Sequence, residues 1–371
     1  MKIVFVNDMV YRYARRDPGA VGGSERYQWL LARALAAFGW ATVVGVRRGL
    51  DAGERNRIDG VDFVGIGHGQ FFVALYSFLA AERPDWCFWF GSTHQLGPAV
   101  AIAGLTGARS GFSAQFDLDV LPRQALTERR RFWPLYALGL EGSRSLFLQH
   151  QGQFAQLARR WQPKAHVVPG VVEVPDSFEP HATRDPYVAW VGVLRQPKRP
   201  DVLVDIARRC PNVRFKVCGG VSAHRSPPGY GERYAAELAK LPNVEYLGHV
   251  APEIAIEVIS HAALLLSTSE AEGFPSVFVE AWAHGTPVVS LQVDPDHVIR
   301  RFGLGFVPES ATTAPGEIER FINAPEERQA AALRSRDYVQ QTHSASAVAA
   351  RVDQLLRGTS VSVMQPVGAP R

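Results

Sequence analysis

Two kinds of apolar pattern alternate along this chain. Short runs of Val, Ile and Phe, apolar at successive positions, are separated by longer stretches in which apolar residues recur every three to four positions. KIVFV (2–6), SERYQWLLARALAAF (24–38) and ATVVGV (41–46) set the theme, with Gly39 placed to end the helix: strand, helix, strand. VDFVGI, WCFWF, RSGFSA and RSLFLQ continue it with helical stretches between them. Strands apolar on both faces predict a parallel sheet covered by helices on either side, so the first half reads as a doubly wound α/β domain.

Between His166 and Pro186 helical periodicity disappears while Pro and Gly accumulate, the composition of a linker. A second series then starts: YVAWVGV, VRFKVCGG, VEYLGHV, ALLLSTS and TPVVSL are strand-like runs with helical segments between, and from Thr312 the pattern is helical. The expected organisation is an N-terminal Rossmann-like domain over 1–178 and a second over 179–345. A helix over 346–358 is expected to pack back on the first domain, with a disordered tail over 359–371. Two such domains facing across a cleft make a natural ligand site.

Composition narrows this picture without naming a chemistry. A chain of 371 residues, 46% hydrophobic and 20% charged, can bury two cores. A net charge of +4 is too small to demand a nucleic acid and suits an anionic substrate or an anionic membrane face. Cys87, Cys210 and Cys218 lie in apolar contexts without metal-ligand spacing and read as buried thiols of a reducing compartment. The opening strand is too short for a secretory signal, and no apolar stretch reaches the roughly 20 residues that cross a bilayer. The expectation is a cytoplasmic protein, peripheral at most to the inner face of the membrane.

The chemistry concentrates between Ser267 and Leu291, in STSEAEGFPSVFVEAWAHGTPVVSL. A strand ends, a turn with Gly273 and Pro275 follows, and a helix begins near Ser276. Glu272 sits in the turn and Glu280 on the helix, where one ligand can touch both. The helix N-terminus between them offers amide donors and a positive dipole end to a phosphate. The plain alternative, a helix-initiating acid and a solvated glutamate, is outweighed by context: the segment closely resembles the E-x(7)-E signature of glycosyltransferase family 4, retaining enzymes of the GT-B fold. The resemblance extends through GFP and EAWAHGTPVV.

That resemblance implies a fold and a set of roles. Glu280 would accept from the donor ribose hydroxyls. Glu272 would contact the donor sugar, with the backbone at Gly273, Phe274, Pro275 and Ser276 lining its pocket. Lys198, after the strand YVAWVGV, would neutralise charge on the departing diphosphate. Many members carry an arginine directly after the strand's glycine; here Val193 follows Gly192, and Arg195 is the nearest replacement. The alternative is a solvated basic turn, which suits Arg199 better than Lys198. Gly219 and Gly220 would let a nucleotide approach, though a plain turn also explains them. Gly22 and Gly23, before a helix expected to be capped by Ser24, resemble the family's glycine loop.

In the first half the match departs from the pattern. Where many members have a histidine, GFSAQFDLDV places Phe116, followed by Asp117 and Asp119. These two aspartates and His94 are candidates for binding acceptor hydroxyls; an Asx turn and a structural histidine are the alternatives. The D-x-D patterns at Asp117–Asp119 and Asp294–Asp296 are too short to imply a metal, and Lys198 with a helix end already supplies positive charge. No metal and no cofactor are expected beyond a nucleotide-sugar co-substrate of UDP or GDP type. Arg129, Arg130 and Arg131 beside Phe132, Trp133 and Tyr136 suit either anionic lipid or a helix with a basic end and a buried aromatic face.

The resemblance therefore implies a retaining, metal-independent hexosyltransferase of polysaccharide, glycan or glycolipid assembly, with a glycan or lipid-linked acceptor and no nucleic-acid partner. The competing readings are a degenerate subunit that binds nucleotide sugar, a nucleotide-sugar epimerase or a phosphorylase.

Overall fold

The computed structural model describes residues 1–17, 23–126, 129–223 and 226–358; Gly22 and the tail from 359 lie outside them. The chain divides into two compact units, residues 1–171 with the segment that starts at Ala345, and Val172–Ser344. The transition comes ahead of the linker end expected at 178 for a local reason. Val172 N–H donates to His343 O at 3.0 Å and pairs with Ser344, so the chain joins the second unit at once.

The first unit is built on β1 (Lys2–Val6), β2 (Ala41–Val46), β3 (Arg55–Ile58), β4 (Val61–Gly65), β5 (Trp86–Phe90), β6 (Arg109–Ser113), β7 (Ser145–Leu148) and β8 (Ala165–Val167). Their order is β3-β4-β2-β1-β5-β6-β7-β8, parallel except for the β3–β4 hairpin. Side chains alternate across the sheet as a strand period of two requires. Ile3 and Phe5 join one core cluster while Val4 joins the other. The helices are α1 (Asp8–Ala14), α2 (Gly23–Ala37), α3 (Phe71–Glu82), α4 (Leu96–Leu105), α5 (Pro122–Ala125), α6 (Trp133–Gly142) and α7 (Gln151–Gln156). Trp29, Leu31 and Leu35 of α2 cover one face, and Leu79, Val100 and Tyr136 of α3, α4 and α6 cover the other. Each such side chain contributes roughly 1.5–3 kcal/mol of burial. Gly39 ends α2 as expected: at φ 96° it turns the chain so that Trp40 N–H reaches Leu35 O at 2.9 Å.

The second unit holds β9 (Tyr187–Val191), β10 (Arg214–Cys218), β11 (Val244–Gly248), β12 (Leu264–Ser267), β13 (Val288–Ser290) and β14 (Gly305–Phe306), all parallel in the order β11-β10-β9-β12-β13-β14. Its helices are α8 (Pro200–Arg209), α9 (Tyr230–Leu238), α10 (Pro252–Ser260), α11 (Ser276–Ala283), α12 (Val298–Phe302), α13 (Ala314–Ile322) and α14 (Pro325–Thr342). The chain then returns to the first unit as α15 (Ala345–Arg357), whose Val348, Ala349, Val352 and Leu356 are buried beside α2. Trp40 Nε1 donates to Asp353 Oδ1 at 2.7 Å. In each unit the strand order reverses beside the first strand, between β1 and β5 and between β9 and β12. The carboxyl ends of those strands are where doubly wound sheets bind ligands.

A buried polar knot closes the second unit. His181 Nε2 donates to Gly285 O at 2.8 Å, while Arg184 donates to Ala262 O, Thr286 Oγ1 and His284 O, and Arg328 to His181 O. Burial, then Arg184, lowers the His181 pKa to about 4. Because the unfolded chain takes up this proton near pH 6.5 and the folded one only near 4, stability should fall as pH drops through that window, by up to about 3 kcal/mol. Urea titrations at stepped pH check this; in His181→Gln the part of the slope due to this proton should vanish, and an unchanged slope would count against the assignment.

Candidate functional site

At the carboxyl edge of the second sheet, two turns meet. The first follows β9: Gly192 leads through Leu194 into a short turn of helix at Gln196–Lys198, after which Arg199, at φ 51°, starts α8. The second follows β12 and carries Glu270, Glu272 and Pro275 into α11. Backbone and side chains bind them together. Glu270 N–H donates to Pro197 O at 3.0 Å, Thr268 Oγ1 to Lys198 O at 2.6 Å, and Trp190 Nε1 to Thr268 Oγ1 at 3.0 Å. Arg199 grips Asp201 through Nε and Nη2 and reaches Glu270 Oε1 through Nη1 at 2.8 Å. Burial pushes the Asp201 carboxyl up, but the bonds from Arg199 and Tyr230 outweigh it and hold the group below its ordinary range.

Between these turns lies the central contact of the site: Lys198 Nζ donates to Glu272 Oε1 in an ion pair. Both line one small pocket with Trp190, Ser267, Ser269, Pro275 and Val277. Their side chains are 17% and 20% exposed, dry enough to be positioned and wet enough to exchange partners. Glu280 stands on α11, whose N-cap is Pro275 with no side-chain capping bond. The Phe274 ring packs inward against Trp282 and His343, leaving Gly273 and Pro275 to shape the turn.

Two expected residues take on clearer roles. A Cβ on Gly219 would lie 1.9 Å from Gly192 O, so this glycine lets the ends of β9 and β10 pass each other; Gly220 faces only the His249 side chain. Arg195 lies near the turn with its Nε shielded and without a hydrogen-bond partner among the described residues. Val193 is 41% exposed.

In the first unit, α2 already begins at Gly23, so Ser24 is not its cap. Ser24 Oγ instead donates to Gln115 Oε1 at 3.3 Å and accepts from Gln28 Nε2 at 3.1 Å, and Gln28 accepts from Asn7 Nδ2. This amide chain across the ends of β1 and β6 had no signal in the sequence. The expected acceptor role of Asp119 does not fit its place: it is 1% exposed, and Oδ2 accepts from the N–H groups of Gln115 and Phe116. Burial raises its pKa, and those bonds oppose the rise. Asp117 remains at the surface, where its Oδ1 lies 2.8 Å from His150 Nε2 and accepts from Gln153 Nε2. Phe116 is 61% exposed. The two aspartates thus point to separate partners, and Asp294 Oδ1 accepts from Ile299 N–H at 2.8 Å. Among the described residues, no three His, Cys, Asp or Glu side chains gather as metal ligands would. No helix among them is long and apolar enough to cross a membrane.

The pair of carboxylates, the lysine and the helix end all fall in one matched span. Residues 175–338 match the family model for glycosyl transferases group 1. This segment lies within the second unit. Over 112 residues the chain is 36% identical to the D-inositol 3-phosphate glycosyltransferase of Corynebacterium aurimucosum, a match spanning 29% of this chain and 27% of that protein. Over 107 residues it is 37% identical to the Mycolicibacterium smegmatis protein of the same name, with 29% and 25% covered. The chain therefore spans about a quarter of the length of these curated relatives. Sucrose-phosphate synthase from Thermosynechococcus elongatus superposes with a TM-score of 0.72 at 19% identity, covering 96% of this chain and 98% of that one. Anabaena HepE, solved in complex with UDP and glucose, does so with 0.71 at 15% identity over 96% and 100%. These likenesses establish the fold, which is GT-B.

Proposed function

We propose that this chain is a retaining, metal-independent glycosyltransferase that moves a hexose from a UDP or GDP sugar to an acceptor hydroxyl of a glycan or lipid-linked substrate. The observation that carries this reading is the Lys198–Glu272 pair at the head of α11, two residues with complementary tasks already held together. A diphosphate entering at Lys198 competes with Glu272 for the ammonium group. Glu272, released, accepts from the donor sugar's hydroxyls, and Glu280 accepts from the ribose. The bond from the anomeric carbon to the diphosphate oxygen then breaks as the acceptor oxygen bonds to that carbon from the same face. The leaving diphosphate oxygen takes the acceptor proton, so the reaction needs no enzyme nucleophile. Lys198 and the α11 amides meet the charge on the leaving group, which is the task a metal ion would otherwise perform. A site on the cytoplasmic side, at the membrane surface when the acceptor is lipid-linked, suits such donors.

A subunit that binds nucleotide sugar without transferring it is the second reading, supported by exposed Val193 and Phe116 at positions where related enzymes place donor-binding side chains. Calorimetry with UDP, GDP, ADP and their sugars, in EDTA, separates the two when joined to a product assay. One nucleotide class should bind, and Glu280→Ala should weaken it about tenfold or more, the loss of charged hydrogen bonds. Proton NMR of the product should show the donor's anomeric configuration. Binding without turnover on any glycan or lipid acceptor favours the second reading, and no nucleotide binding refutes both.

A further inference from the structure

The first unit carries a basic cluster that donor chemistry does not use. The loop after β5 brings His94, and the segment before α6 brings Arg129, Arg130, Arg131 and Phe132, around a cavity of about 620 Å³. Arg129 Nη1 lies 2.8 Å from His94 Nε2, the Phe132 ring 5.5 Å from the imidazole, and the Arg131 guanidinium 4.8 Å over Phe132. A guanidinium has only donors, so His94 must present an unprotonated nitrogen to it. Burial first and Arg129 second lower the His94 pKa accordingly. Elsewhere Arg199, Arg208, Arg214, Arg233, Arg320 and Arg357 each face a carboxylate. Among the described residues Arg129, Arg130 and Arg131 face none, and the N-terminal end of α6, with no side-chain capping bond, adds its dipole to theirs.

Beside this cluster is a pocket of a different kind. Asn7, Gln28, Thr93 and Gln95 with Trp89 and Phe90 line a cavity of about 110 Å³ at the ends of β1 and β5, where the strand order reverses. Amides and aromatic rings are a lining suited to hydroxyl-bearing rings. Thr93 and Gln95 belong to this neutral pocket and His94, between them, to the basic one. We infer that the acceptor is a phosphate monoester, its phosphate held by His94 and Arg129–Arg131 and its hydroxyl-bearing part by the neighbouring pocket. The inference names the acceptor class for the glycosyltransferase reading and rests on it, but the phosphate site is testable without turnover. The same phosphate can belong to a soluble sugar or polyol phosphate or to a lipid headgroup. A bound dianion draws the Arg129 guanidinium from the His94 nitrogen to itself and favours the imidazolium, so His94 takes up a proton as the ligand binds.

The test uses glycerol 3-phosphate against glycerol in calorimetry, and flotation with phosphatidylcholine vesicles with or without phosphatidic acid, on wild type and on Arg130→Gln/Arg131→Gln. UDP and GDP binding, a property of the other unit, is measured on the same samples. Glycerol 3-phosphate should bind with proton uptake that His94→Gln abolishes, and the double substitution should weaken it about tenfold or more. Binding confined to the soluble probe assigns a soluble acceptor, and flotation that requires phosphatidic acid and the two arginines assigns a lipid. If neither probe binds in an arginine-dependent way while the nucleotide still does, the phosphate site is refuted and the donor reading stands. Loss of nucleotide binding alone would refute the donor reading instead.

Discussion

Lys198→Ala is expected to lower kcat by about 100- to 1,000-fold, the range found when one preorganised charge-stabilising group is removed from a transition state. On the proposed reading the donor is held through Glu280 and the backbone of the α11 turn as well, so KM should rise less than kcat falls. Folding should be nearly untouched. The partner left behind, Glu272, is 20% exposed and can be solvated, and a partly wet ion pair of this kind contributes about 1 kcal/mol or less. Lys198→Arg should not rescue, since a planar fork cannot replace a compact ammonium in a pocket shared with Trp190 and Pro275. Steady-state rates set beside thermal melts decide the matter: full turnover by a well-folded Lys198→Ala protein ends the proposed role.

The second large effect concerns a residue with no side chain. Gly219→Ala forces a Cβ to 1.9 Å from Gly192 O, a backbone atom fixed by its own N–H bond to Cys218 O at 3.0 Å. Nothing flexible can yield, so β9 or β10 must move, at a cost of about 3 kcal/mol or more. Since Gly192 opens the turn that delivers Lys198, nucleotide affinity should fall together with stability. Gly220→Ala makes a sharp control. Its Cβ comes no nearer than 3.2 Å, to His249 Cβ, which a shift of a few tenths of an ångström relieves, and a smaller loss is expected. Urea unfolding and calorimetry on both variants check the contrast, and equal losses would contradict the backbone explanation.

The strands and helices were legible because each has its own local period, and the turn at Glu272 because its signals sit within one short segment. The Lys198–Glu272 pair was not, since a separation of 74 residues is closed by tertiary structure, the β9–β12 pairing and the bonds between the two turns. Ser24 looked like a cap by its place before an apolar run, yet the helix starts one residue earlier and the hydroxyl serves the amide chain instead. Asp119 looked like a surface ligand because loops are usually polar outside; this loop turns its acid inward to satisfy two N–H groups. The role of Gly219 depends on how closely two neighbouring strand ends pass, which no local pattern records.

The return of α15 to the first unit sets an order of assembly during synthesis. Residues 172–344 form an uninterrupted unit, whereas the first unit waits for a helix made after all of them. Until Val348, Val352 and Leu356 leave the ribosome, a stripe beside α2 stays uncovered. The half translated first is therefore the half completed last, and a nascent chain stalled after Ser344 presents a finished second unit and a first unit still open to water and to chaperones.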